Sequence, residues 1–368
     1  MINSLKSTLN RNLTNAKGWR TNRKIIVIES DDWGSIRMPD KKTVDFLKTK
    51  GLAVDKCPYV MNDCLESNDD LEILFEFIEK RNKHPVITAN FLTANPNFEK
   101  IEKSNFEKYF SESLDDTLNR YPNHENVKEL YIQGSRKKYF VSQLHGREHL
   151  NISQWMSDLK FGNKETQEAF ARGVFGISAH IVKVKRKSYQ AAFGVQRVDY
   201  EVNFKQVLTE AVMDFERLFG FKSKTFIAPN YTWGDEVEKI TSDLGITHLQ
   251  GRSAQNIPLS SKNKPTIKRN FLGKTNQYGQ RYLIRNATFE PFMNEKKDCV
   301  SKTLNEIRNA FLWNKPAIIS MHRVNFIGSI NQNNREINLK LFKELLDNID
   351  KLWPDVEFLS SKDLAEII

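Results

Sequence analysis

The stretch Lys24-Ile25-Ile26-Val27-Ile28-Glu29-Ser30-Asp31-Asp32-Trp33-Gly34 sets the reading of this chain. A run rich in β-branched residues predicts a buried strand. It stops at two adjacent carboxylates, an aromatic ring and a glycine. Two negative charges so close at the rim of a sheet repel each other. A nearby cation relieves this, as does a split of roles in which one carboxylate binds a metal and the other moves protons. The doublet alone is a weak signal, because Asp69-Asp70 and Asp115-Asp116 also occur, in polar settings. Its meaning depends on partners elsewhere.

Outward from this strand, short apolar runs alternate with amphipathic stretches, the pattern of β/α units around a parallel sheet. Strands are expected at 24–30, 85–90, 139–144, 174–181, 225–228, 246–249, 281–285, 317–321 and 356–359. Helices are expected at 40–50, 69–81, 151–161, 203–219, 233–244, 302–313 and 335–353. Leu71, Leu74, Phe75 and Ile78 share one helical face, as do Leu208, Val212, Phe215 and Leu218, and both stripes read as core. Two polar segments, 95–138 and 251–280, read as loops or insertions on a single domain spanning 24–368, with residues 1–23 as a basic N-terminal arm.

With 368 residues, 39% of them hydrophobic and 11% aromatic, the chain has material for one large α/β domain. It has no run of eighteen apolar residues, which excludes a transmembrane helix of the ordinary kind. No apolar leader is visible. Cys57, Cys64 and Cys299 have no metal-like spacing and read as reduced thiols. A cytoplasmic location is therefore expected, with secretion the alternative if a leader has been removed. The net charge is +10, with basic clusters at Lys6 to Lys24, Lys183 to Lys187 and Lys262 to Lys274. Such clusters suit an anionic partner. Nothing resembles a helix-turn-helix, a zinc finger or an aromatic-interleaved single-strand binder, so nucleic acid is not the expected partner.

The histidines supply partners for the doublet. His145 and His149 stand four apart after a predicted strand. On a helical turn that spacing puts both rings on one side, where they can hold one metal. Two neutral imidazoles and one carboxylate, with a position open for water, make a catalytic zinc-type set. His322 ends the apolar run Ala317-Ile318-Ile319-Ser320-Met321. A strand-terminal histidine is well placed for general acid work. After another strand, Ala228-Pro229-Asn230-Tyr231-Thr232-Trp233-Gly234 reads as a rigid turn whose backbone N–H can face an oxyanion. His180, inside an apolar run, reads as a core or pocket-lining residue.

In their order along the chain, these motifs resemble the polysaccharide deacetylase superfamily, the NodB-homology or carbohydrate esterase family 4 group. The resemblance implies a distorted (β/α)7-type barrel with insertions. It assigns Asp31 as catalytic base, Asp32, His145 and His149 as metal ligands, His322 as acid, and the Asn230 N–H as oxyanion donor. It implies a divalent metal, Zn2+ foremost with Co2+ or Ni2+ as alternatives, and an acetylated sugar or polysaccharide as substrate. Trp33, Tyr231, Trp233 and Arg285 are the expected substrate-binding residues, with core packing the expected role for at least one of the three aromatics. Two departures stand out. The family's Arg-x-Pro-Tyr reads Ile227-Ala228-Pro229-Asn230 here, so the arginine that orients the base is missing, and Arg285 or Arg147 are its candidate replacements. The Asp-Trp pair that tunes the histidine has no clear counterpart, Glu290 being a weak substitute. The expected activity is hydrolysis of N- or O-acetyl groups on a carbohydrate. The alternatives are a related barrel amidohydrolase acting on another C–N bond, and a non-catalytic carbohydrate- or polyanion-binding protein.

Overall fold

The computed structural model describes residues 11–259, 266–293 and 298–368. Lys6 of the basic arm, and Lys262 and Lys264 of the last basic cluster, lie outside the described residues. The strands are β1 (Ile25–Trp33), β2 (Ile87–Leu92), β3 (Ala94–Pro96), β4 (Ser111–Ser113), β5 (Phe140–Gly146), β6 (Thr225–Ile227), β7 (His248–Gly251), β8 (Ala254–Ile257), β9 (Thr266–Arg269), β10 (Arg281–Ile284), β11 (Ala287–Thr288), β12 (Ala317–His322) and β13 (Glu357–Leu359). The main sheet runs β10-β7-β6-β5-β2-β1-β12-β11, and every pairing in it is parallel. β13 pairs with Ile25–Val27 of β1, while β2 pairs with β1 from Ile28 onward. β3–β4 and β8–β9 are separate antiparallel hairpins.

The sheet is curled, and strands far apart in its order meet through polar side chains in its interior. Glu29 of β1 accepts from Gln250 of β7 at 3.1 Å and from Arg285, just beyond β10, at 2.5 Å. Helices pack on the outer face, as the alternation of strand and helix requires. The chain thus forms the expected distorted α/β barrel, with a path of eight strands where the resemblance implies about seven.

All seven expected helices are present, and so is every expected strand except 174–181. That stretch is an extended loop. Val174, Ile177 and Ile181 bury themselves against Val44, Leu47 and Leu52 instead of pairing in a sheet. Two of its backbone carbonyls accept from side chains, Gly176 O from Gln190 and Ile177 O from Arg186. The segment 95–138 is not a loop either. It contains the β3–β4 hairpin partner strand and a helix at Val127–Arg136 that packs on β5. That helix fits closely because Gly134 faces Phe75, where a Cβ would come within 2.4 Å of the ring. Residues 11–23 are docked rather than free, with Trp19 N–H donating to Leu272 O at 2.9 Å and Asn12 Oδ1 accepting from Trp313 Nε1.

Candidate metal centre

The site forms where β1, β5 and β12 end, and two irregularities in the sheet create it. Opposite β1, Ser30 pairs with Ala89 and Trp33 with Phe91, so Asp31 and Asp32 together face Asn90 alone. Opposite β5, Leu144 pairs with Phe91 and Gly146 with Leu92, so His145 is the additional residue. Both are β-bulges, which re-aim side chains at a sheet rim. Asp32 adopts φ 75° and Gly146 φ 119°, so both bulges turn through the left-handed half of backbone space. Asp32 and Asp31 therefore leave β1 in different directions.

His149 lies in the loop after β5 and not on a helical turn, contrary to expectation. The turn at Gly146 brings the chain back, and the two rings meet edge to face with centroids 5.2 Å apart. Asp32 Oδ1 stands 3.4 Å from His145 Nε2 and 3.7 Å from His149 Nε2. Two ligand atoms at about 2.1 Å from one tetrahedral zinc would themselves be about 3.4 Å apart. All three residues are buried, and Asp32 Oδ1 and His145 Nε2 have no hydrogen-bond partner. The Nδ1–H of His145 donates to Ile227 O at 2.8 Å, which leaves the Nε2 lone pair facing the cluster. Burial lowers the His149 pKa to about 3, so its ring is neutral and able to ligate. Burial opposes the charge on Asp32, yet its carboxyl is held well below the usual range, with the His322 imidazolium and Arg37 among the charges that favour it. The donor set fits a divalent cation.

Asp31 is held quite differently. Arg285 Nη1 donates to its Oδ2 at 2.7 Å, Arg285 Nη2 to its Oδ1 at 2.6 Å, and Asn90 Nδ2 to Oδ1 at 2.8 Å. Burial pushes its pKa up, and the guanidinium overrides this and holds it at about 2. The arginine missing before Pro229 is thus replaced from the end of β10. Arg147 does not share the task, since its guanidinium is bound to Glu148 and Glu210. Asp31 pairs in register with His322 on β12. Glu290 Oε1 accepts from His322 Nδ1 at 2.5 Å, and Glu290 Oε2 accepts from Asn325 Nδ2. Burial works against the imidazolium, but Glu290, Asp32 and Asp31 raise the His322 pKa to about 10. The Tyr59 hydroxyl lies 3.3 Å from the same ring.

Asp31, Asp32, Tyr59, His145, His149 and His322 line a cleft of about 420 Å³, together with Arg37, Lys56, Asn230, Tyr231 and Arg252. Asn230 sits at φ 56° in a turn whose own hydrogen bonds run from Tyr231 N–H to Ala228 O and from Thr232 N–H to Pro229 O. Of the expected substrate-binding residues, Tyr231 lines the cleft and three do not. Trp33 is 1% exposed, packs edge-on against Phe140 and donates to Ser30 Oγ. Trp233 is 2% exposed and donates to Glu238. Neither ring can stack on a sugar. Arg285 spends its guanidinium on Glu29, Asp31, Tyr231 and Ser320, so it is a positioning residue for Asp31. His180 is an exposed residue at the cleft rim, outside the core. Sequence reasoning missed Asn90, Tyr59 and Arg37. Asn90 carried a usable signal, a polar residue near the end of an apolar strand. Tyr59 and Arg37 lie in polar stretches with none.

No family model and no curated protein matches the chain. Among solved structures, it is similar to a Mycobacterium smegmatis protein provisionally assigned as a polysaccharide deacetylase, at 10% identity over 96% of this chain and 92% of that one, TM-score 0.44. A Pseudomonas aeruginosa PAO1 protein with the same provisional assignment matches at 10% identity over 94% and 91%, TM-score 0.43. A CE4 family pseudoenzyme from Bacillus anthracis matches at 9% identity over 89% and 62%, TM-score 0.33. At these identities the chain is similar in overall path to polysaccharide deacetylase and CE4 structures, and the reading of its site stands on the distances given above.

Proposed function

We propose that the protein is a metal-dependent hydrolase that removes acetyl groups from a carbohydrate. The observation that carries this reading is the division of two adjacent carboxylates. Asp32 faces two imidazoles with its Oδ1 free of hydrogen bonds, while Asp31 is locked by Arg285. Asp32, His145 and His149 would hold a divalent cation, which supplies Lewis-acid polarisation and a more acidic water. Asp31 takes the proton from the attacking water, and its guanidinium partner keeps it ionised and aimed. The Asn230 N–H faces the developing oxyanion. His322, held protonated by Glu290, gives its proton to the leaving amine or alcohol. Arg285 and Glu290 orient the base and the acid from behind, and the buried rim of β1 and β5 limits water around them.

Acetate release from defined acetylated sugars, with and without a chelator, tests the proposal. Chelator-sensitive release supports it. Full metal content in the Asp32→Asn variant would sink the metal assignment. Turnover of non-acetyl amides in preference to acetyl sugars would move the protein to a different C–N hydrolase.

A further inference from the structure

Four arginines are buried: Arg37, Arg147, Arg285 and Arg323. Three of them each meet two carboxylates. Arg147 meets Glu148 and Glu210, Arg285 meets Glu29 and Asp31, and Arg323 meets Asp63 and Glu66. Arg37 has no carboxylate in ion-pair contact among the described residues. Its Nη1 donates to Gln190 Oε1 at 2.8 Å, its Cζ lies 4.8 Å from the Tyr59 ring centroid, and its Nε is buried with no hydrogen-bond partner. Its backbone is at φ 51°, in the left-handed region that long side chains avoid. A buried charge with no carboxylate in ion-pair contact and a strained backbone are both unfavourable, and such strain concentrates where a ligand is bound.

Arg37 lines the same cleft as Asp32, with Lys56 and Arg252. Arg252 lies over Tyr231 at 5.1 Å, so a second arginine–tyrosine pair lines the cleft. Of the two carboxylates on the cleft wall, Asp31 is already matched by Arg285. The lining therefore carries surplus positive charge before any cation is bound. With Arg37 Nη1 tied to Gln190 and Nε buried, Nη2 is the donor left to meet an oxygen of a carboxylate or phosphate in the cleft.

We propose that Arg37 receives an oxyanion carried by the substrate near its acetyl group, so that the substrate is an acidic acetylated sugar. This rests on the deacetylase reading, but its test is separable from it. Titration calorimetry on the full chain would compare N-acetylglucosamine, its 6-phosphate and N-acetylglucosaminuronic acid. At least one acidic sugar should bind tenfold or more tightly than the neutral one. Tighter binding of the phosphate or of the uronate identifies which oxyanion is used. Arg37→Asn, which suits a left-handed backbone, should erase the preference and melt no lower than the parent. If it melts lower, Arg37→Lys decides, because it keeps the charge and loses the guanidinium donors, and its preference should fall. Acidic sugars binding no tighter than the neutral one, or not at all, overturn the proposal, as does a preference fully retained in both variants. Acidic preference without acetate release from any sugar would refute the deacetylase reading and leave the oxyanion site standing.

Discussion

Asp31 and Asp32 are covalent neighbours in unlike surroundings, and that difference is what substitution can read. Asn tolerates the left-handed backbone of Asp32, so Asp32→Asn isolates the loss of charge from backbone strain. It should lose metal by elemental analysis and lose turnover with it. Asp31→Asn should keep the metal and lower kcat by about 10²–10⁴, the usual contribution of a general base. Glu290→Gln probes the acid. The His322 pKa lies above its unfolded value, so the stabilisation it brings is fully present below about 6.5 and lost as pH rises through about 10. The variant should therefore unfold more easily than the parent at pH 7 and about equally above pH 10, as denaturant titrations at both values will show. The basic limb of its kcat–pH profile should move to lower pH. The reacting groups were legible in the sequence because each is a polar residue ending an apolar run. Their supports were not. Arg285 lies 254 residues from Asp31, and no local pattern shows which guanidinium reaches which carboxylate. The tryptophans misled because an aromatic beside a catalytic motif looks the same in sequence whether it faces a sugar or the core.

The elements that matter most are the bulges on β1 and β5, the two strands flanking β2. Each puts a metal-facing residue where regular pairing would turn it away. Gly146→Ala should test this, since a Cβ at φ 119° meets no close neighbour and the strain lies in the backbone itself. A cost of about 1–3 kcal/mol is expected by denaturant unfolding, along with weaker metal binding, as His149 loses its approach to Asp32. Strands and helices with clear periodicity were readable to within a few residues. The bulges were not, because they depend on the register of a neighbouring strand. The 174–181 run failed for a related reason: its β-branched residues are as useful against a helix surface as in a sheet.

Across the whole molecule, several buried carboxylates sit in separate arginine-centred clusters. Arg323 binds Asp63 and Glu66 and donates to Ser35 O, while Glu66 accepts from the Gly34 N–H. The cluster thus braces the chain immediately after Asp32. Arg323→Met should cost about 3–5 kcal/mol in urea unfolding, because it strands two buried carboxylates. The general architecture was visible in the alternation of elements, whereas the Arg285 and Arg323 clusters join residues more than two hundred positions apart. The pairing of β1 also orders events in time. Its neighbours β12 and β13 begin about 290 and 330 residues after it. A nascent chain therefore makes the doublet early but cannot give its strand a complete set of neighbours until β13 has emerged. Contacts of such long range close slowly. Metal capture is expected to follow the emergence of β12, with chains stalled short of it unable to complete the site.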